Sequence, residues 1–486
     1  MKVPDIFVVV YFLIFLCPLN ASAYNITVNI KSMANKEAVL ASYIKDKIIA
    51  IDTARLNAKG VGVFQKNKKL ASGEYLFYLT PTANTNIFVG TEQDFEIIVT
   101  DTSNIHNDIR YEGSSEQNLL TQYRDELKLL FEKQKIINEE FNQNPDKERK
   151  EVVESYRKAH VELEEKHRSI ALRLAKEHPG TMATFFRYYL RTPAKDFSQD
   201  IPEGTEDREH KIALKNWSYQ KKHYWDYVDF TDSLILNLHK PSLDEKLNDY
   251  FENHVMVLPH PDSLFRACDE LVIKSRSNKG VYRHVLEYCM MYCFENKIMG
   301  MDEAFVKIVQ KYYMTGKVDW RDEKSLKTVT DEAIKRQYNL IGHKAVELQL
   351  PTIDGQVASL HEIKAPFTLV IFWEPNCGHC KKQVPLAKKE IYDRFSPYGL
   401  KVYAVHAHTN KEAWEEFVEK HELFDFINVW DPNNQSHYRT LYNAFTTPAM
   451  YILDKEKKFI AKNLSIEQMV DLLKNEYKKQ GVAPIP

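Results

Sequence analysis

The chain has 486 residues, 44% of them hydrophobic and 28% charged, with a formal net charge of -2. That length exceeds what one hydrophobic core holds, so two to four domains are expected. The near-neutral charge provides no field for gathering nucleic acid or anionic lipid, so nucleic-acid binding is not expected.

At the N-terminus Lys2 precedes the apolar run "IFVVVYFLIFLC", followed by Pro18 and Ala21-Ser22-Ala23. A charged start, an apolar core and a small-residue site predict a secretory signal peptide over residues 1–23, cut before Tyr24. The run falls short of the about 20 residues that span a bilayer, so an uncleaved tether is the lesser alternative. Leu16 stands where a lipid-anchored protein needs a small residue, and Cys17 is assigned to the discarded signal. Export permits disulfides. The five remaining cysteines, Cys268, Cys289, Cys293, Cys377 and Cys380, are too few to build a scaffold of this size.

Residues 24–112 read as a β domain of sandwich or barrel type. "YNITVNI", "KIIAIDTARL", "GVGVF", "YLFYLT", "NIFVGT" and "FEIIVT" are short, β-branched and aromatic, and punctuated by turn residues. The expected role is folding or binding. Residues 113–340 read as an all-α domain. Ser114 or Ser115 caps a helix with Leu120, Tyr123, Leu127 and Leu130 at helical spacing, and His178-Pro179-Gly180 ends a charged helix further on. Cys289 and Cys293 share a helix face amid Tyr288, Met290, Met291, Tyr292 and Phe294, as buried free thiols do. His254 and His260 lack a second ligand pair at zinc spacing.

Residues 341–486 read as an α/β domain. A hairpin turns at Asp354-Gly355, "FTLVIFW" is a strand covered on both faces, and helices alternate with "KVYAVHA", "INVWD", "AMYILD" and "KFIAKN". The whole is a multidomain α+β chain.

Residues 372–385 read "FWEPNCGHCKKQVP". Cys377 and Cys380 flank Gly378-His379 where a strand gives way to a helix. Free N–H groups and the positive end of the helix dipole stabilise a thiolate there. Cys377 is expected to attack a disulfide and Cys380, one turn on and more buried, to resolve the intermediate. The His379 imidazole is expected to stabilise the thiolate and make the pair more oxidising. Attachment of c-type haem requires histidine where Lys381 stands, and zinc requires a second ligand pair, whereas this chain has no other C-x-x-C. No metal is expected, and no cofactor beyond the redox-active Cys377–Cys380 disulfide.

Four features extend this motif: Trp373 before it, Pro385 in the helix after it, Thr446-Thr447-Pro448 ahead of "AMYILD", and the extra helix and strand between Lys411 and Asp431. On these, residues 341–480 resemble the thioredoxin superfamily, specifically the exported TlpA/ResA-like thiol-disulfide oxidoreductases. The resemblance implies a thioredoxin-like fold, protein thiols and disulfides as partners and, for reductant members, a membrane electron donor. It implies that Pro448 is a cis-proline whose loop docks substrate, with Trp373 and Thr447 on the substrate side. Two residues depart from related patterns. Ile371 stands where thioredoxin has a buried aspartate, and Glu374 where peroxiredoxins have threonine, which argues against peroxide reduction. Upstream, "HPDSLFRACDELV" and "KIMGMDEAFVKIVQKYY" resemble helical domains that precede thioredoxin-like domains in exported proteins of Gram-negative anaerobes, implying a periplasmic location. The competing reading is a binding or assembly protein in which the front domains engage a partner and the C-terminal domain is a redox-gated dock. Neither the direction of electron flow nor the oligomeric state follows from these residues.

Overall fold

The computed structural model describes residues 23–44, 47–193 and 195–482, and the signal-peptide expectation for residues 1–22 lies outside them. Two compact units emerge: the chain through Tyr250 with Ser275–Val281, and Phe251–Lys274 with Tyr282 onward.

The first unit opens with two four-stranded sheets. One has the order β4-β1-β7-β8, built from β1 (Tyr24–Asn29), β4 (Val61–Lys66), β7 (Asp94–Ile98) and β8 (Arg110–Glu112). The other has the order β3-β2-β5-β6, from β2 (Glu37–Ile44), β3 (Lys47–Arg55), β5 (Gly73–Thr80) and β6 (Ala83–Val89). Alternate side chains of both sheets, such as Ile26, Val28, Phe64 and Ile97 from one and Leu40, Phe77 and Ile87 from the other, fill one shared core. The sandwich is therefore held as predicted by period-two burial.

Helices follow: α1 (Ile105–Asp108), α2 (Ser115–Gln143), α3 (Lys150–Glu177), α4 (Thr181–Tyr188), α5 (Arg208–His223) and α6 (Leu243–Tyr250). Ser114 caps α2 through its side chain. α2 and α3 run antiparallel, joined by Tyr123 Oη to His167 Nε2 at 2.7 Å near one end and Tyr156 Oη to Asn138 Oδ1 at 3.1 Å near the other. These helices and the sandwich share one compact unit, tied for instance by Tyr189 Oη donating to Glu74 Oε2 at 2.9 Å.

The helices α7 (Pro261–Lys274), α8 (Lys279–Glu295), α9 (Asp302–Ile308) and α10 (Glu323–Arg336) lead to the C-terminal fold. Cys268, Cys289 and Cys293 are fully buried free thiols, with 3.8 Å between the Cys268 and Cys293 sulfurs. After the hairpin β9 (Gln349–Pro351) and β10 (Val357–Ser359) comes a five-stranded mixed sheet, order β13-β12-β11-β14-β15. Its strands are β11 (Phe367–Trp373), β12 (Lys401–His406), β13 (Ile427–Trp430), β14 (Ala449–Asp454) and β15 (Phe459–Lys462). β11 lies at the centre, parallel to β12 and antiparallel to β14.

The continuous apolar run of β11 reflects cover on both faces. Leu369, Ile371 and Trp373 pack toward α11 (Cys380–Ala387), α13 (Lys411–Lys420) and α15 (Ile466–Lys479). Val370 and Phe372 pack on the opposite face with Leu348, Leu350 and Tyr442, beside α14 (Tyr438–Leu441). Helical backbone continues past Pro385 through a π turn at Lys388–Tyr392 into α12 (Asp393–Phe395). The domain therefore positions whatever follows β11 at the N-terminus of α11.

Candidate active site

β11 ends at Trp373, two turns carry the chain over Glu374–His379, and α11 begins at Cys380. The Cys377 carbonyl accepts from Lys381 N–H at 3.1 Å and the His379 carbonyl from Gln383 N–H at 2.9 Å, so the motif is wound into the first helical turn. Cys377 is half-buried just ahead of that turn, and Cys380 is fully buried within it.

The two sulfurs differ sharply. Partial burial works to raise the Cys377 pKa, but the N–H groups of Cys380 and His379, with the Cys380 and Thr447 side chains, outweigh it and hold it below the ordinary thiol value. The Cys380 N–H lies 3.4 Å from the Cys377 sulfur. Burial pushes the Cys380 thiol up to about 12. One cysteine of the pair is thus accessible and acidic, the other enclosed and protonated.

The loop before β14 closes over the pair. The Thr447–Pro448 peptide is cis, and the Cys377 thiol donates to the Thr447 carbonyl at 3.2 Å. Thr447 Oγ1 donates to Glu374 Oε1 at 2.8 Å. The structure therefore brings together Cys377, Cys380, Thr447 and Pro448 from elements about 70 residues apart in sequence.

One expectation needs correction. Trp373, expected on the substrate side, is fully buried: its ring packs 4.6 Å from Phe417 and 5.9 Å from His406, and it offers no surface to a docking chain. Its position is the last of β11, whose alternation turns it into the core. The His379 ring is exposed, and what reaches the Cys377 sulfur is its main-chain N–H. Ile371 is buried among apolar side chains.

Sequence reasoning assigned no site role to Glu374, which bonds Thr447, or to His406, which is buried against Trp373 and Trp414. The available signal was a carboxylate three residues before a redox cysteine. Among the described residues no group of three or more His, Cys, Asp or Glu side chains is arranged to hold a metal ion.

Comparison with known proteins agrees with this geometry. Residues 341–462 match the model of the AhpC/TSA family, and residues 173–341 that of a domain of unknown function, DUF5106. Thiol-disulfide oxidoreductase ResA of Bacillus thuringiensis subsp. konkukian is 23% identical over 139 residues, covering 29% of this chain and 78% of that protein. A solved domain of a possible thiol-disulfide isomerase from Cytophaga hutchinsonii is 30% identical, covering 29% of this chain and 95% of that one, with a TM-score of 0.27. A thioredoxin-like protein from Bacteroides caccae is 20% identical, covering 56% of this chain and 95% of that one, with a TM-score of 0.42. The C-terminal part of this chain is thus a thioredoxin-like domain that matches the AhpC/TSA family and is similar in sequence to thiol-disulfide oxidoreductases.

Proposed function

We propose that the chain is a periplasmic enzyme exchanging disulfides with protein substrates through Cys377 as nucleophile and Cys380 as resolving thiol. The observation that carries this reading is the contrast between the two sulfurs: an accessible, acidified Cys377 facing the cis-Pro448 loop, and an enclosed Cys380 one turn behind. The Cys377 thiolate attacks a substrate disulfide, forms a mixed disulfide and expels one substrate thiolate. Cys380 then displaces the second substrate sulfur and closes the Cys377–Cys380 bond, so two electrons pass from the pair to the substrate. The reverse sequence oxidises a substrate dithiol. Running as a reductant, the enzyme needs an upstream electron source, for which a membrane donor is the proposed partner. The exported location is supported by the N-terminal sequence.

The test is turnover of insulin disulfides with dithiothreitol as electron source. The Cys377→Ser, Cys380→Ser double variant should fall to the uncatalysed rate. Full activity in that variant would overturn the assignment.

A further inference from the structure

Three cysteines lie outside the candidate active site, and the fold gathers them. Cys268 stands in the middle of α7, Cys289 and Cys293 one turn apart on α8, and all three are fully buried free thiols. The sulfurs of Cys268 and Cys293, 25 positions apart in sequence, lie 3.8 Å from each other. A disulfide needs a separation of about 2.0 Å, so each sulfur has about 0.9 Å to move. That is within the sweep of a rotation about the Cα–Cβ bond. Burial holds the Cys268 thiol well above its ordinary pKa, and hydrogen bonding to Cys289 and Cys293 adds to this. Exchange needs a thiolate in contact with a disulfide, and a fully enclosed thiol meets neither condition. The folded protein is therefore closed both to making and to breaking a bond here. The state of the pair is settled while the chain folds.

We propose that Cys268 and Cys293 become joined by a disulfide when the chain folds in the presence of a disulfide donor, and that Cys289 stays a thiol. Before α7 and α8 close, the Cys268 thiol gives its proton to water. Its thiolate attacks the donor disulfide, forms a mixed disulfide and expels one donor thiolate. The Cys293 thiolate then bonds to the Cys268 sulfur, and the second donor thiolate leaves with the electron pair of the broken bond. The pair is oxidised and the donor is reduced to two thiols. The new bond restricts the unfolded chain, and burial afterwards keeps it out of any exchange at Cys377.

The test uses the full-length Cys377→Ser, Cys380→Ser variant, refolded from urea with glutathione and its disulfide or with dithiothreitol alone. Thiols are alkylated after denaturation, and linkage is read by mass spectrometry of the proteolysed chain. Oxidative refolding should give a linked Cys268–Cys293 peptide pair with Cys289 alkylated, and dithiothreitol alone should give all three alkylated. Dithiothreitol added after oxidative refolding should spare the bond in buffer and cleave it in urea. The bonded form should unfold at a higher urea midpoint than the reduced form. Wild-type protein should map to the same link whatever the state of Cys377 and Cys380, which covers the case in which the double variant folds poorly. Alkylation of all three cysteines after oxidative refolding, or a link through any other cysteine, would overturn the proposal. Equal reduction in buffer and in urea would also overturn it, because a bond between these two sulfurs has to be shielded by the fold.

Discussion

A cysteine just ahead of a helix is acidified by the N–H groups that point at its sulfur, and at Cys377 these belong to Cys380 and His379. His379 sits at φ -72°, close to the proline value, so proline fits there with loss of the donor and little else. His379→Ala should leave the Cys377 thiol pKa nearly where it is, while His379→Pro should raise it. The pH dependence of Cys377 alkylation reads both, and a large rise in His379→Ala would return the effect to the ring. His406 gives a second pH signature. Burial holds it at about 4 against an ordinary 6.5, with its ring stacked 5.3 Å from Trp414. Above pH 6.5 it is neutral folded or unfolded; as pH falls toward 4, only the unfolded chain takes up a proton, and stability drops. The loss is on the order of 3 kcal/mol and should be absent in His406→Phe, as urea unfolding at neutral and acid pH would show. The cysteines were legible in sequence because motif spacing carries them, and Thr447 and Pro448 through the resemblance to the thioredoxin superfamily. Glu374 and His379 were less so: alternation along β11 stops at Trp373, and nothing in the sequence says where side chains turn in the following loop.

Element by element, legibility tracked how much of each element's pattern came from burial. β11, with every residue buried, announces itself, as does α15 with its Ser465 capping box. β2, paired with β3 and β5, carries Glu37, Ala38 and Ala41, which have weak strand propensity, and it went unread as a strand. α5 buries none of its residues and α10 only Ala333, so neither has an apolar stripe to reveal it. An ion pair between elements was equally hidden. Lys462 of β15, almost fully buried, donates to Asp302 of α9 at 2.5 Å, to the Asn339 carbonyl at 2.8 Å and to Asn339 Oδ1 at 3.1 Å. Removing one member of such a pair leaves the other charge unmatched. Lys462→Met should therefore cost about 3–5 kcal/mol in denaturant unfolding, and adding Asp302→Leu should recover most of it. A double variant as unstable as the single would mean that Asn339, not Asp302, is the partner that matters.

At the scale of the molecule, the sequence divides where its periodicity changes, near residue 341, but packing divides the chain elsewhere. The second compact unit takes in Phe251–Lys274 and everything from Tyr282, so the thioredoxin-like sheet and the helices α7, α9 and α10 belong to one body. The contacts explain why. Met299 packs against the core beneath β11, Asn339 Nδ2 donates to the Tyr442 carbonyl at 2.9 Å, and the Lys462 ammonium is satisfied wholly by Asp302 and Asn339. A fragment beginning at residue 341 loses every one of these partners. Its Lys462 would have to find water through a strand end built to exclude it, and desolvation already holds that ammonium below the usual lysine range. Such a fragment should retain the thioredoxin-like sheet, because β11 and its two flanking cores lie within it, yet unfold at markedly lower denaturant than the full chain. Lys462→Met, which is costly in the full chain, should be neutral or stabilising in the fragment, because there the partners are already gone. Urea midpoints for the four proteins decide it. Equal costs of Lys462→Met in both backgrounds would mean that the ion pair contributes nothing to holding the helices on the sheet.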